Sequence, residues 1–193
     1  MKKICLATNN QGKAKELREL LGGEFEIVTL ADIGCTEDIE ETADTFEGNS
    51  LIKAKHIYDN YNIDSIADDS GLEVEALNGA PGIYSARYAG EHGNHDKNMD
   101  KLLSELNGIE NRSAQFRTVV TYICQGEVFS FNGIVKGNIT HSKQGDGGFG
   151  YDPIFKPVGF DITFAQMSSS EKNPISHRGK AIAQLLAHLQ KKK

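Results

Sequence analysis

The stretch Ile4-Cys5-Leu6-Ala7-Thr8-Asn9-Asn10-Gln11-Gly12-Lys13 decides how the rest of the chain is read. Ile4–Thr8 has the length and apolar character of a short buried strand. It breaks into a polar turn, and from Lys13 to Leu21 the residues Ala14, Leu17, Leu20 and Leu21 recur at helical spacing. Gly22-Gly23 stops that helix, and Phe25–Leu30 reads as a second strand. A chain that alternates strand and helix from its start builds an α/β protein.

Working outward, Asp44 and Glu47 have the spacing of a capping box. They open a helix with Leu51, Ala54, Tyr58 and Tyr61 on one stripe. Asn49, Lys53 and Ile57 form another, which turns Asn49 and Lys53 toward a common site. Ile63–Asp68 is the next strand, ending in an acidic turn, Asp68-Asp69-Ser70-Gly71. Met99, Leu102, Leu103 and Leu106 mark a third helix. Ala114–Cys124 and Val128–Lys136, joined by Gln125-Gly126-Glu127, predict an antiparallel hairpin. A glycine-rich loop follows at Gly145–Gly150. Ile182, Leu185, Leu186 and Leu189 mark a last helix that starts after Pro174 with Ser176 as N-cap and ends on Lys191–Lys193, where cations suit the helix dipole. Early alternation and a late hairpin together predict a mixed sheet in one domain of two lobes.

Composition excludes several classes. The chain has 193 residues, 38 % of them hydrophobic and 25 % charged, which is ordinary for one globular domain and argues against disorder, collagen or coiled coil. The 27 acids exceed the 21 bases, so a net charge of −6 gives no electrostatic case for nucleic acid or an anionic membrane. Three scattered cysteines encode neither a disulfide scaffold nor a zinc knuckle. The first apolar run is too short for a signal peptide and no run reaches a membrane span. We therefore expect a soluble cytoplasmic protein with no nucleic-acid or membrane partner.

Four segments carry chemistry. Thr8-Asn9-Asn10-Gln11-Gly12-Lys13 lies where a strand meets a helix N-terminus, whose unpaired N–H groups and positive dipole end attract phosphate; Lys13 adds charge and Gly12 allows close approach. In Asp68-Asp69-Ser70 two adjacent carboxylates repel unless a cation answers them, and hard oxygen ligands suit Mg²⁺; Glu40-Glu41 is a second acidic pair. One aspartate is expected toward the site and the other anchored by backbone N–H groups. Gly148-Phe149-Gly150-Tyr151-Asp152 contains part of a G-x-G-x-x-G match, but no helix follows, so a dinucleotide loop is rejected in favour of Phe149 stacking on a base with Asp152 as acceptor. In Glu171–Lys180, His177 and Arg178 follow Ser176 and place cations at a helix start, against the dipole, which an acceptor-rich ligand would compensate. His56, His92, His95, His141 and His188 show no ligand spacing, and no zinc site is expected.

Together these segments resemble one family, the inosine/xanthosine triphosphate (dITP/XTP) pyrophosphatases. The likeness runs nearly end to end: T-x-N-x-G-K from Thr8, E-E-T-x-x-T-F-x-x-N from Glu40, Ala67–Leu72, Gly79–Tyr88, Gly148–Phe155 and Glu171–Arg178. Gly48 and Ser50 depart from the Glu and Ala usual there, and Met167 stands for Leu. The resemblance implies a long twisted mixed β-sheet flanked by helices, two lobes with a central cleft, a homodimer, and residues 1–193 as a single pyrophosphatase domain. It implies Mg²⁺-dependent hydrolysis of deaminated purine nucleoside triphosphates (ITP, dITP, XTP) to monophosphate and pyrophosphate, cleansing the nucleotide pool. By motif position Asp69 is general base and metal ligand, joined on the metal by Glu40 or Glu41, with Asp68 in support and Ser70 near the substrate. Thr8, Asn9, Asn10, Gln11, Gly12 and Lys13 bind triphosphate, helped by Lys53 and Lys172. Phe149, Gly150, Tyr151, Asp152, His177 and Arg178 hold the base. A nucleotide-binding module without hydrolysis stays open as the alternative.

Overall fold

The computed structural model describes residues 2–191; Lys192 and Lys193 of the basic terminus lie outside the described residues. Six strands form one sheet, in the order β2-β1-β3-β4-β5-β6. β1 (Lys2–Leu6) pairs in parallel with β2 (Phe25–Thr29) and with β3 (Ser65–Val74). β5 (Glu127–Ile139) pairs antiparallel with β6 (Phe155–Pro157). The sheet is mixed and the fold is α/β, as the pattern predicts.

The chain divides into two compact units. Residues 1–69, 118–133 and 178–193 make the first, and residues 70–117 and 134–177 the second. In the first unit the period of β1 sorts two cores. Ile4 and Leu6 meet Leu17 and Leu21 of α1 (Gln11–Leu21) and Ala181, Ile182 and Leu185 of α5 (His177–Gln190). Cys5 and Ala7 meet Ala54 and Ile57 of α2 (Phe46–Tyr61). A parallel strand buried on both faces needs apolar residues at every position, which is why Ile4–Ala7 reads as an unbroken run.

In the second unit Leu72 and Val74 of β3 and Phe116 of β4 (Ser113–Cys124) pack with Met99, Leu102 and Leu106, from α3 (His95–Glu105) and its C-terminal cap. One face of β5 joins that core through Val135 and Ile139, while Ile134, Lys136 and Asn138 are exposed. The β4–β5 turn has positive φ at both Gln125 (52°) and Gly126 (81°), as the tight hairpin turn matching strand twist requires.

Four expectations are corrected. The cap of α2 is Thr45, whose side chain accepts from Gly48 N at 3.1 Å; the Asp44–Glu47 box is displaced by one residue because two neighbouring side chains can both cap. The buried face of α2 mixes both stripes, with Asn49, Ser50 and Lys53 inside beside Phe46, Ala54 and Ile57, while Leu51 is 38 % exposed. Asp68-Asp69-Ser70-Gly71 is not a turn: β3 runs on through it to Val74. Gly71 sits there because loop 82–85 crosses it, and a Cβ would strike Gly82 O and Ser85 Oγ. A short helix the periodicity missed, α4 (Ser169–Ile175), precedes α5; Ser168 and Glu171 form its capping box, and α5 follows Ser176 as predicted. Among the described residues no helix is long and apolar enough to cross a membrane.

Candidate active site

The first unit gathers a dense ionic cluster where β1 ends. β1 pairs with β3 only as far as Leu6↔Ile66, and Ala7 N donates to Ile66 O at 2.8 Å. The next carbonyl on that edge, Asp68 O, accepts from Lys53 Nζ at 2.7 Å instead of from a strand. Ser50 Oγ takes Ala67 O at 3.1 Å and Thr118 Oγ1 takes Asp69 O at 3.2 Å. Three side-chain donors thus hold the backbone that carries both aspartates.

Asp68 is fully buried. Its Oδ2 receives Arg178 Nη2 at 3.1 Å and Nε at 3.2 Å, with Lys13 Nζ at 3.4 Å. Burial by itself would raise this carboxyl, but Lys13, Arg178 and Lys53 outweigh it and hold it well below the usual carboxylate range. The anchors are these side chains, not the backbone N–H groups expected from a turn. Arg178, 1 % exposed, also donates from Nη1 to Glu16 of α1, a partner the sequence reading missed. Both bonds favour its charged form against the cost of burial.

Asp69 is 5 % exposed, and burial is the largest influence on it, pushing its carboxyl upward; Lys53 and Lys13 oppose this, Glu41 reinforces it and a hydrogen bond from Asn49 opposes it. Lys53 donates to Glu41, and although burial disfavours its charge, Asp69, Glu41 and Asp68 raise its pKa. Asn49 accepts from Ala43 N at 2.9 Å, tying the 40s segment to α2. Of the two adjacent acids, Glu41 lies in this cluster; Glu40 is exposed. At the start of α1, Asn10 is the N-cap, accepting from Lys13 N at 3.0 Å, and Thr8 Oγ1 accepts from Asn10 N at 3.2 Å. Asn9 and Gln11 are exposed and Gly12 is half-buried. Burial lowers the pKa of Lys13 despite Asp68.

The second unit holds the aromatic residues. Lys172 donates to Asp152 Oδ2 at 2.6 Å, both side chains nearly inaccessible, and Phe149 N donates to the same oxygen at 3.0 Å. Lys172 Nζ also lies 5.1 Å from the Phe149 ring centre and 5.4 Å from that of Phe164. The His177 ring stacks on Phe116 at 4.8 Å and 10°, and Phe116 packs in turn on Phe155 at 4.7 Å. Gly150 takes a positive φ of 65°, which turns Tyr151 into the apolar core, its hydroxyl donating to Ser85 O at 2.8 Å. Ser70 is half-buried on β3.

Among the described residues no three His, Cys, Asp or Glu side chains form a ready metal cage. Asp69 and Glu41 nonetheless fit Mg²⁺, which takes one or two carboxylates and completes its shell with water and substrate phosphates. Charge arithmetic agrees: Lys13, Lys53 and Arg178 bring three positive charges against four carboxylates at Glu16, Glu41, Asp68 and Asp69. Those side chains alone leave no positive surplus for a polyanion, and a divalent cation supplies one.

Comparison with known proteins gives a consistent picture. The model of the Ham1 family matches residues 4–188. A dITP/XTP pyrophosphatase of Flavobacterium johnsoniae is 54 % identical over 184 residues, 95 % of this chain and 96 % of the relative. One from Bacillus subtilis is 47 % identical, covering 96 % of each chain. The structure of the Staphylococcus aureus Ham1 protein superposes with a TM-score of 0.91 at 44 % identity, covering 100 % of both chains.

Proposed function

The chain belongs to the Ham1 family, and from that premise we propose that it is a nucleoside triphosphate pyrophosphohydrolase acting on deaminated purine nucleotides, dITP and XTP among them. The observation that carries the chemistry is the pairing of Asp69, midway along β3, and Glu41 across Lys53. Hydrolysis at phosphorus needs an oriented water, neutralisation of developing charge and a stabilised leaving group.

In this reading Asp69 is the general base. Burial that raises its carboxyl favours proton uptake from water. Asp69 and Glu41 hold Mg²⁺, which when bound neutralises phosphate oxygens and stabilises the departing pyrophosphate. Lys13 and Lys53 bind triphosphate oxygens together with the turn Thr8–Lys13 at the start of α1, where the N–H groups of Gln11 and Gly12 open the helix, and Ser70 lies near the substrate. Asp68 keeps Lys13 and Arg178 in place. The base is assigned to Phe149, Gly150, Asp152, His177 and Arg178; Lys172, which the resemblance gives to the triphosphate, is paired with Asp152 beside Phe149, and Tyr151 supports the loop from the core. Phe149 offers a stacking face. Arg178, a donor with no acceptor, matches the 6-oxo group of hypoxanthine and xanthine and opposes the 6-amino group of adenine.

The near-complete family match supports reading the whole chain as a single catalytic domain. We also read the working form as a cytoplasmic homodimer; the three free thiols, Cys5, Cys35 and Cys124, suit a reducing compartment. Sedimentation velocity tests the dimer.

A panel of ITP, dITP, XTP, GTP and ATP, with and without Mg²⁺ and read by pyrophosphate release, tests the function. Fast release from the deaminated substrates only with the metal is expected. No pyrophosphate at micromolar enzyme would leave the binding-module alternative standing.

A further inference from the structure

The glycine-rich loop fixes its backbone and its aromatic side chain by different means. Gln144 N donates to Pro153 O at 2.8 Å and Gly147 N to Ala165 O at 3.0 Å. Gly145 and Gly147 pass so close to Ala165 that a Cβ at either would lie within 3 Å of its backbone. These contacts hold the main chain. The Phe149 ring stands between two glycines of positive φ, Gly148 (71°) and Gly150 (65°), which contribute no side-chain packing. Two groups from elsewhere in the unit contact the ring: Lys172, and the imidazole of His95, centroids 6.4 Å apart and tilted by 53°.

His95 is well placed for this because it opens α3. Asn94 caps the helix, accepting from Lys97 N at 3.1 Å, and Asn98 accepts from Ala89 N at 2.7 Å, so the first turn is itself anchored. Next to it and about a turn further along, Asp96 and Asp100 both pair with Lys143 at 2.6 Å on the near arm of the loop. Those ion pairs are largely exposed and contribute little by themselves. The tilted aromatic contact is the part that acts on the ring.

We propose that His95 is a positioning residue that holds the Phe149 ring ready for the purine; this rests on reading Phe149 as the base-stacking residue. A ring held by its neighbour loses less rotamer freedom when the base arrives, so the benefit appears in binding and not in the chemical step. Stacking tolerates any base, so the benefit extends equally to ITP and ATP.

The test measures KM and kcat for ITP and ATP in His95→Ala, His95→Phe, Phe149→Ala and the His95→Ala/Phe149→Ala double variant, with inhibition by inorganic tripolyphosphate, which has no base. His95→Ala should raise both KM values about three- to tenfold with kcat unchanged. Tripolyphosphate inhibition should not move, His95→Phe should restore KM, and His95→Ala should add nothing once Phe149 is gone. Phe149→Ala raising KM while His95→Ala does not would overturn the role of His95 alone. Phe149→Ala leaving KM at wild type would remove the base-stacking reading and this proposal with it. A fall in kcat, loss of tripolyphosphate inhibition, failure of His95→Phe to rescue, or additive effects in the double variant would each overturn the positioning role.

Discussion

The two polar clusters solve the problem of burying charge in opposite ways. In the first unit Lys13, Arg178, Asp68 and Glu16 neutralise one another through several ion pairs, and Lys53 does the same for Glu41. In the second, one buried pair, Lys172–Asp152, sits among aromatic rings. A network of alternating charge fixes positions but gives its members strongly perturbed protonation. An ion pair walled by aromatic faces keeps a stacking surface beside it. The first suits an anion and a proton transfer; the second suits a planar heterocycle.

The sharpest way to break this contrast is Asp69→Asn. The change keeps shape and removes the charge on the group proposed to bind metal and accept a proton. Turnover of ITP should fall about 10²–10⁴-fold, with binding still measurable by calorimetry. Near wild-type kcat would take the chemical step out of the first cluster. No comparable loss of kcat is expected from Phe149→Ala, which removes a face and no charge.

Next comes the network itself. Arg178→Ala leaves Asp68 and Glu16 buried without their shared partner, and loss of one member of a buried pair costs about 3–5 kcal/mol. Urea unfolding should show this. The same network sets an acid limit. The Asp68 carboxyl is depressed in the folded protein, so it stabilises the fold above the unfolded value of about 3.9, and that contribution is lost as pH falls below it. The urea midpoint should drop steeply as pH is lowered from about 5 toward 2, and less steeply in Asp68→Asn. Equal slopes would mean the Lys13 and Arg178 contacts do not favour the ionised form.

A pair of variants with similar effects on KM separates the clusters by mechanism. Phe149→Ala should weaken nucleotide binding by about 1–3 kcal/mol at any ionic strength, because stacking is not screened. Lys13→Ala should weaken it most at low salt, because charge contacts are. Matching salt dependence in the two variants would collapse the distinction.

How far the sequence revealed this depends on the range of the interactions. The β1–α1 junction was legible because strand length, helix period and Asn10 are all local. The course of β3 was not: two aspartates in a row look like a turn until the donors that hold them are known, and those come from Lys53, Thr118 and Arg178, far away in sequence. Glu16 illustrates the same limit. Its place on the Lys13 face of α1 is visible in the spacing, but an acid beside Leu17 reads as a boundary residue, and its partner is 162 positions away. The stripe with Asn49 and Lys53 is visible in the spacing, but the burial of these polar side chains beside Ala54 and Ile57, with Leu51 outside, reverses what their polarity suggests.

That reversal supplies the smallest effect and the finest test of the first cluster. Ser50 is fully buried, with Oγ 2.8 Å from Thr121 Oγ1 and 3.1 Å from Ala67 O. Ser50→Ala strips a partner from the buried Thr121 hydroxyl, which is 2 % exposed. An unpaired buried group costs about 1–3 kcal/mol, so this small change should destabilise the protein. Adding Thr121→Val removes both polar groups together and should recover most of that loss. Urea midpoints of the two singles and the double close a mutant cycle whose coupling term isolates the pair. Turnover of ITP should stay unchanged throughout, because Lys53 one turn along α2 keeps its own bonds to Asp68 O and Glu41. A fall in kcat with Ser50→Ala would show that the polar stripe positions the aspartates as a unit and not residue by residue.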